Sequence, residues 1–301
     1  MLSFLPAPLR GLLAGVLMLL NIFVWVPVLL LVALVKLVLP FQAVRLRLDP
    51  LLLKIAEAWI DGNSGWMRLT QKLDWQVSGL DALSPRQWYL VVCNHQSWVD
   101  ILVLQHVLNR RIPLLKFFLK KELIWVPIMG LAWWALEFPF MRRRSEAYLQ
   151  KHPQERGKDA AATRAACEKY ALVPTSVMNF LEGTRMTPAK QRQQSSPYRH
   201  LLKPKAGGIT LALQAMGEKF GAVLDITIVY PRGQPTFVQF LTGQVSQVVV
   251  QVQTLPVPAR HNAPEPQSEA ALRSHMQQWV NQLWADKDAR IEHTLGAKAH
   301  T

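Results

Sequence analysis

The sequence predicts an α/β domain, a mostly parallel twisted sheet flanked by helices, preceded by an N-terminal membrane helix or helical hairpin. Three observations carry that expectation. Residues Gly11 to Val35 contain no charged side chain. From about Leu80 onward, short apolar runs alternate with stretches of helical periodicity, the pattern of strands joined through helices. At one strand-to-helix junction, Val92-Cys93-Asn94-His95-Gln96-Ser97-Trp98-Val99-Asp100, a histidine and an aspartate stand five residues apart.

The uncharged run holds 25 almost wholly apolar residues; at ~1.5 Å per residue it exceeds the ~30 Å thickness of a bilayer's hydrocarbon. It is too long for a signal-peptide core, and no small-residue cleavage site follows it. Asn21 and Pro27 inside the run allow a kink, so a full span and a re-entrant hairpin both fit. Arg10 precedes the run, whereas Lys36, Arg45, Arg47 and Lys54 follow it. The heavier positive flank favours placing the main domain in the cytoplasm. Residues 42–72 read as helix, with an apolar face that either lies in the interfacial layer or packs on the globular part. Residues 1–72 are thus expected to anchor, and 73–301 to form the catalytic domain, with a soft linker at about 73–84.

Along the second part, Trp88–Val92 reads as a buried strand, Val99–Leu108 as a helix and Ile112–Leu115 as a short strand. Leu123–Leu136 is apolar and tryptophan-rich. Arg164–Ala171 continues a helix, Ser176–Phe180 is a strand, Ile209–Met216 a helix and Val223–Tyr230 a strand. Val245–Val252 alternates enough for an edge strand. From Ser268 to about Arg290, Leu272, Met276, Trp279, Val280 and Leu283 recur at helical spacing and form a docking face.

Composition narrows the partners. With 34 basic and 20 acidic residues the net charge is +14, and half of the residues are hydrophobic. Such a surplus calls for an anionic partner, and the apolar start selects anionic membrane lipid over nucleic acid. Two cysteines, Cys93 and Cys167, are too few for a disulfide scaffold and read as reduced thiols.

On one continuous helix, His95 and Asp100 would not share a face. If the chain turns between strand and helix, Asp100 in the first helical turn reaches back to the imidazole. A carboxylate on one ring nitrogen fixes the tautomer and leaves the other nitrogen as a general base. The same spacing also fits a capping box in which Asp100 satisfies backbone N–H groups, and the two roles are compatible. There is no G-x-S-x-G elbow, H-E-x-x-H or C-x-x-C, so neither a serine nucleophile nor a metal is expected. The nucleophile is then a substrate alcohol.

A second constellation, Phe180-Leu181-Glu182-Gly183-Thr184-Arg185, again follows a strand. Gly183 to Gly217 holds no acid, yet Arg185, Lys190, Arg192, Arg199, Lys203 and Lys205 fall there, and Arg142, Arg143 and Arg144 form another basic knot. Guanidinium forks suit phosphate oxygens. Arg185 and Arg143 are the leading candidates, while the lysines of 190–205 also fit a solvated surface.

These residues resemble the 1-acylglycerol-3-phosphate O-acyltransferase family, and most closely its bacterial YihG-type branch. Asn94 to Asp100 fits the family's N-H-x-x-x-x-D motif. Lys121-Glu122-Leu123 through Phe138-Pro139-Phe140-Met141-Arg142-Arg143 resembles its second block, Phe180 to Arg185 its F-P-E-G-T-R, and Ile228-Val229-Tyr230-Pro231 its fourth. The resemblance implies a glycerolipid acyltransferase-like fold, with His95 as base and Asp100 as its partner. It further implies that Arg143, Glu182, Gly183 and Arg185, with neighbouring Thr184 and Lys205, hold the substrate phosphate. The implied reaction passes a fatty acyl chain from acyl-CoA or acyl carrier protein to a lysophospholipid, without cofactor or metal. The sequence departs from the family at Leu181, where proline is usual, and at Glu137, where glycine is common; both are expected at the headgroup site. They leave open another acceptor, such as lysophosphatidylglycerol. A non-enzymatic protein that binds anionic lipid is the alternative of a different class.

Overall fold

The computed structural model describes residues 2–39, 41–141, 161, 167–168, 170, 172–258 and 269–298. Two long helices come first, α1 (Ala7–Val38) and α2 (Gln42–Thr70). They run antiparallel: Lys36 pairs with Asp49 and Asn21 with Asn63 in one register, and ahead of α1 the Leu2 N–H reaches the Leu69 carbonyl. Pro27 and Pro50 lie inside these helices without ending them. By length and composition α1 suffices to cross a membrane, with a mean hydropathy of 2.7 over its most apolar window. The C-terminal half of α2 turns inward. Trp66 is buried, meets Phe240 edge-on at 6.2 Å and donates its indole N–H to Asn63. Of the two expectations for this helix, packing on the domain is the one observed here.

The remaining elements are β1 (Asp74–Ser78), β2 (Trp88–Cys93), α3 (Val99–Leu108), β3 (Leu115–Phe117), β4 (Leu119–Lys120), α4 (Met129–Ala135), β5 (Phe140–Met141) and β6 (Ser176–Phe180). They continue with α5 (Pro188–Gln193), α6 (Gly207–Met216), β7 (Phe220–Val229), α7 (Phe237–Leu241), β8 (Gln247–Leu255) and α8 (Glu269–Lys298). Six strands form one sheet in the order β1-β8-β7-β2-β6-β3, and β4 pairs with β5 separately. Only β7–β8 is antiparallel in the large sheet. The expected mostly parallel α/β architecture is observed.

Strand periodicity divides the core. Tyr89, Val91 and Cys93 of β2 pack with Leu224, Ile226 and Ile228 of β7 against α3, Trp66 and Met67. Leu90, Val92, Val177 and Val223 face the other way, onto α6 and the Met276, Val280, Leu283 and Trp284 stripe of α8. Beneath α8, Lys287 and Asp225 are both fully buried and pair at 2.6 Å. Lys287 also donates to the Ile226 carbonyl at 2.5 Å, and Arg290 bonds the second Asp225 oxygen. This ionic peg fixes α8 to the middle of β7.

The details correct several expectations. The segment expected as linker holds β1, whose Asp74-Trp75-Gln76-Val77-Ser78 alternates exposed and half-buried residues along the sheet edge. β8 is therefore interior where β1 pairs with it, over Gln247–Gln251, and becomes an edge only beyond that point. β3 begins at Leu115 rather than Ile112, after Pro113, which has no N–H to give to a ladder. The basic knot that includes Arg143, and most of the helix expected at Arg164–Ala171, lie outside the described residues.

Replacing Lys287 by methionine leaves Asp225 buried with a single partner. The expected loss is about 3–5 kcal/mol, the usual result of breaking a buried pair, read as a lower denaturant midpoint with an unchanged slope.

Candidate active site

The register of the central strands sets the site. Val92 and Cys93 of β2 lie opposite Asn179 and Phe180 of β6, and Cys93 lies opposite Ile226 of β7. Carried two residues further, His95 meets Glu182 and Asn94 meets the end of β7. All three chains leave the sheet at their carboxyl ends, the edge where open α/β sheets hold ligands. Asn94, fully buried, accepts from the Ile228 N–H (2.9 Å) and donates to the Ile228 carbonyl (2.8 Å), extending the ladder one step beyond β2.

Past Asn94 the chain folds back. Asp100, fully buried, receives the Gln96 N–H at 2.6 Å and the Ser97 N–H at 2.9 Å on Oδ2. The same oxygen lies 2.8 Å from His95 Nδ1, and Oδ1 accepts the Tyr230 hydroxyl at 2.7 Å. One carboxylate thus makes both sets of contacts: it ties the loop before α3 and meets the imidazole. Ser97 completes the loop, donating from Oγ to the Pro235 carbonyl at 2.6 Å and accepting the Val99 N–H. Since Asp100 takes Nδ1, Nε2 is the ring nitrogen left for chemistry. The ring lies flat on Phe180, centroids 4.0 Å apart at 14°.

Tyr230 was not assigned a role from sequence, although the position directly after β7 was the available signal. Burial, and then the adjacent Asp100 charge, push its phenol well above the ordinary range. It therefore remains a donor to Asp100. Phe180 was quoted only as part of a motif, and its stacking partner depended on a register that only pairing reveals.

His95 opens into a cavity of about 380 Å³, within the ~300–1,000 Å³ typical of small-molecule sites. Its walls are apolar: Val26 and Leu29 of α1, Ile55 and Trp59 of α2, and Met129 and Trp133 of α4. Gly183, Thr184 and Arg185 line it beside His95, and Lys120 joins them. Gly183 has φ +68°, a conformation open to glycine at little cost. Its N–H closes a turn onto the Phe180 carbonyl at 2.9 Å. That turn sends Glu182 inward and residues 183–185 toward the cavity. Arg185 lies over the Trp98 ring at 4.8 Å, and Lys190 donates to the Thr184 hydroxyl at 2.7 Å. Lys205 runs alongside Gly183: a Cβ added there would lie 3.7 Å from its Nζ. Four of the residues expected at a phosphate site, Gly183, Thr184, Arg185 and Lys205, thus come together.

Glu182 does not join them. It is fully buried, and its oxygens accept the His95 N–H at 2.7 Å and the Leu202 N–H at 2.9 Å. Burial pushes its carboxyl up to about 8, against those N–H groups, which pull it down.

Neither departure from the family pattern is among the residues that line the cavity, although Leu136, Phe138 and Phe180 beside them are. Leu181 is buried in the cluster beneath the opposite sheet face. Glu137 has φ +60°, a left-handed conformation that explains why glycine is common there. Its carboxylate takes Lys36 of α1 at 3.2 Å, and its carbonyl accepts the Tyr170 hydroxyl at 2.5 Å. Lys36 also pairs with Asp49 at 2.5 Å, so one lysine joins α1 and α2 to the loop after α4.

Among the described residues no cluster of histidine, cysteine and carboxylate groups suits a metal ion. Cys93 and Cys167 are buried free thiols. Burial pushes Cys167 up to about 12 and Cys93 well above its ordinary value, so neither offers a thiolate nucleophile near neutrality.

The crystal structure of the 1-acyl-sn-glycerophosphate acyltransferase PlsC from Thermotoga maritima superposes with a TM-score of 0.55 at 19% identity, covering 93% of this chain and 98% of that one. That likeness establishes a shared fold. The acyltransferase family profile matches residues 74–231, just over half of the chain, and the chain belongs to that family. Similar curated proteins include the 1-acyl-sn-glycerol-3-phosphate acyltransferase 2 of Brassica napus, 28% identical over 256 residues. The match covers 77% of this chain and 60% of the relative. The mouse 1-acyl-sn-glycerol-3-phosphate acyltransferase gamma is 26% identical over 222 residues, covering 69% and 53%. This chain spans about half to three-fifths of the length of these relatives.

Three outcomes test the site's geometry. Tyr230→Phe removes one of the four bonds to Asp100, with an expected cost of about 1 kcal/mol in stability, measured by denaturant unfolding. At Glu137, alanine keeps the left-handed strain and loses the lysine, whereas glycine relieves the strain. Glu137→Ala should therefore melt below Glu137→Gly. At Glu182 the folded protein holds a proton up to about pH 8, whereas the unfolded chain releases it near the ordinary 4.5. That contribution to stability is full below the lower value and declines as pH rises toward the upper one. The stability difference between wild type and Glu182→Gln should fall across this window and level off above it.

Proposed function

We propose that this protein transfers a fatty acyl chain from an acyl thioester to the free sn-2 hydroxyl of 1-acylglycerol-3-phosphate, giving phosphatidic acid. The thioester is acyl-CoA or acyl-acyl carrier protein. The observation that carries the proposal is the His95–Asp100 pair, 2.8 Å apart, beside an apolar cavity whose other wall presents Thr184 and Arg185. Within the family we place the chain in the bacterial YihG-type branch, a reading supported by its motif blocks and membrane-first layout.

The acceptor's phosphate lies against Arg185, Thr184 and Lys205, and its hydroxyl beside His95 Nε2. The imidazole takes the hydroxyl proton as the oxygen attacks the thioester carbonyl. Asp100 stabilises the imidazolium through Nδ1–H, as in other histidine–carboxylate pairs. Collapse of the tetrahedral adduct breaks the carbon–sulfur bond, and the departing thiolate takes the proton back from Nε2. The protein's groups return unchanged, so this route calls for no cofactor. Acyl chains move from bilayer hydrocarbon to side chains of similar polarity, a transfer with little net hydrophobic gain. Affinity for the acceptor therefore rests on its phosphate, and much of the rate on proximity.

The apolar α1 and the positive flank after it support an inner-membrane location, with residues 1–72 as anchor and 73–301 facing the cytoplasm. The same chemistry on another lysolipid is the second reading. Leu181 and Glu137, which first suggested it, are not among the residues that line the cavity; that observation favours the glycerophosphate acceptor.

The test offers labelled long-chain acyl-CoA and acyl-acyl carrier protein to a panel of lysolipids. Transfer to 1-acylglycerol-3-phosphate should fall by about 10²–10⁴-fold in His95→Ala. Transfer only to another lysolipid would move the acceptor and keep the mechanism. Near-normal activity of His95→Ala would overturn the mechanism. No turnover on any acceptor, with intact binding to anionic vesicles, would favour a lipid-binding protein.

A further inference from the structure

We infer that Glu182 is a positioning residue for His95 and is not a ligand of the acceptor's phosphate. The inference rests on the reading of His95 as the base. Its observation is the division of labour within one turn. Residues 183–185 face the cavity, whereas Glu182 is fully buried beneath it with one oxygen on the His95 N–H and the other on the Leu202 N–H.

The same loop holds the other polar group of the His95 backbone, because the Met186 N–H donates to the His95 carbonyl at 2.7 Å. Phe180, two residues before Glu182, supplies the face on which the imidazole lies. The chain from Phe180 to Met186 thus grips His95 three ways: ring face, amide N–H and carbonyl. Asp100 provides the fourth hold, at Nδ1. Both of its oxygens are already taken by backbone N–H groups, which leaves neither turned toward a phosphate. A buried acceptor for two N–H groups is what a loop ending beyond the strand ladder lacks. Glu182 also reaches the chain carrying Lys205, whose N–H donates to the Leu181 carbonyl at 2.8 Å. One carboxyl therefore sets the spacing between the base and the basic strip.

Glu182→Gln preserves shape but turns an NH₂ toward one of two N–H donors, so it breaks one hold. Glu182→Asp keeps the carboxyl group but is too short to span both donors, and it serves as a second variant if the amide folds poorly. A positioning role predicts that kcat falls by about tenfold or more while KM for 1-acylglycerol-3-phosphate stays within about twofold. Arg185→Ala is the contrast, with KM rising. Independently of turnover, the His95 Hε1 resonance, assigned by its absence in His95→Ala, is displaced by the Phe180 ring current. It should move toward the unstacked position in both Glu182 variants. A KM raised about tenfold at unchanged kcat would make Glu182 an acceptor ligand and overturn the inference. An unmoved His95 resonance would overturn it too, whatever happens to activity. If the wild type turns over no acceptor, the proposed function fails, while the resonance still decides the role of Glu182.

Discussion

The site depends on one buried carboxylate. Asp100 meets two backbone N–H groups, a phenol and the imidazole, so the loop from Gln96 to Ser97, the end of β7 and the candidate base share a single anchor. A buried carboxylate is costly unless its lone pairs are used. Here using them requires the chain to fold back immediately after β2, and the fold-back is what brings His95 over the end of the sheet. Local structure and chemistry therefore have the same physical origin.

Around that anchor the sheet works as a ruler. Parallel pairing of β2 with β6 and β7 brings Asn94, Glu182 and Tyr230 to one edge although they are far apart in sequence. The two sheet faces have different tasks. One is sealed by α6 and α8 and held by the Lys287–Asp225 pair. The other is covered by α3 and the first two helices, which also wall the cavity. Removal of α1 and α2 would therefore open the cavity beside His95.

Where hydropathy changes sharply the sequence was legible: α3 and β6 begin and end where their apolar runs do, and the uncharged stretch lies within α1. It was less legible where pairing decides. Asp74–Ser78 is too polar to read as a strand until β8 is beside it, and β8 reads as an edge from the alternation of Val245–Val252, although β1 covers Gln247–Gln251. The His95–Asp100 pair could be read because both members lie in nine consecutive residues. Tyr230 and Phe180 could not be given roles, since their partners are set by cross-strand register. Glu182 was attached to the phosphate through its motif neighbours. A turn at a positive-φ glycine separates it from them, because adjacent residues then point to opposite sides of the loop.

The central claim is that Asp100 fixes the His95 ring with Nδ1 bonded and Nε2 bare. Nitrogen chemical shifts of ¹⁵N-labelled histidine in the full-length protein, at a pH where the ring is neutral, report that state directly. The account predicts a proton on Nδ1 and none on Nε2, and loss of that tautomer preference in Asp100→Ala. A ring protonated on Nε2, or one whose tautomer balance ignores Asp100, would contradict it.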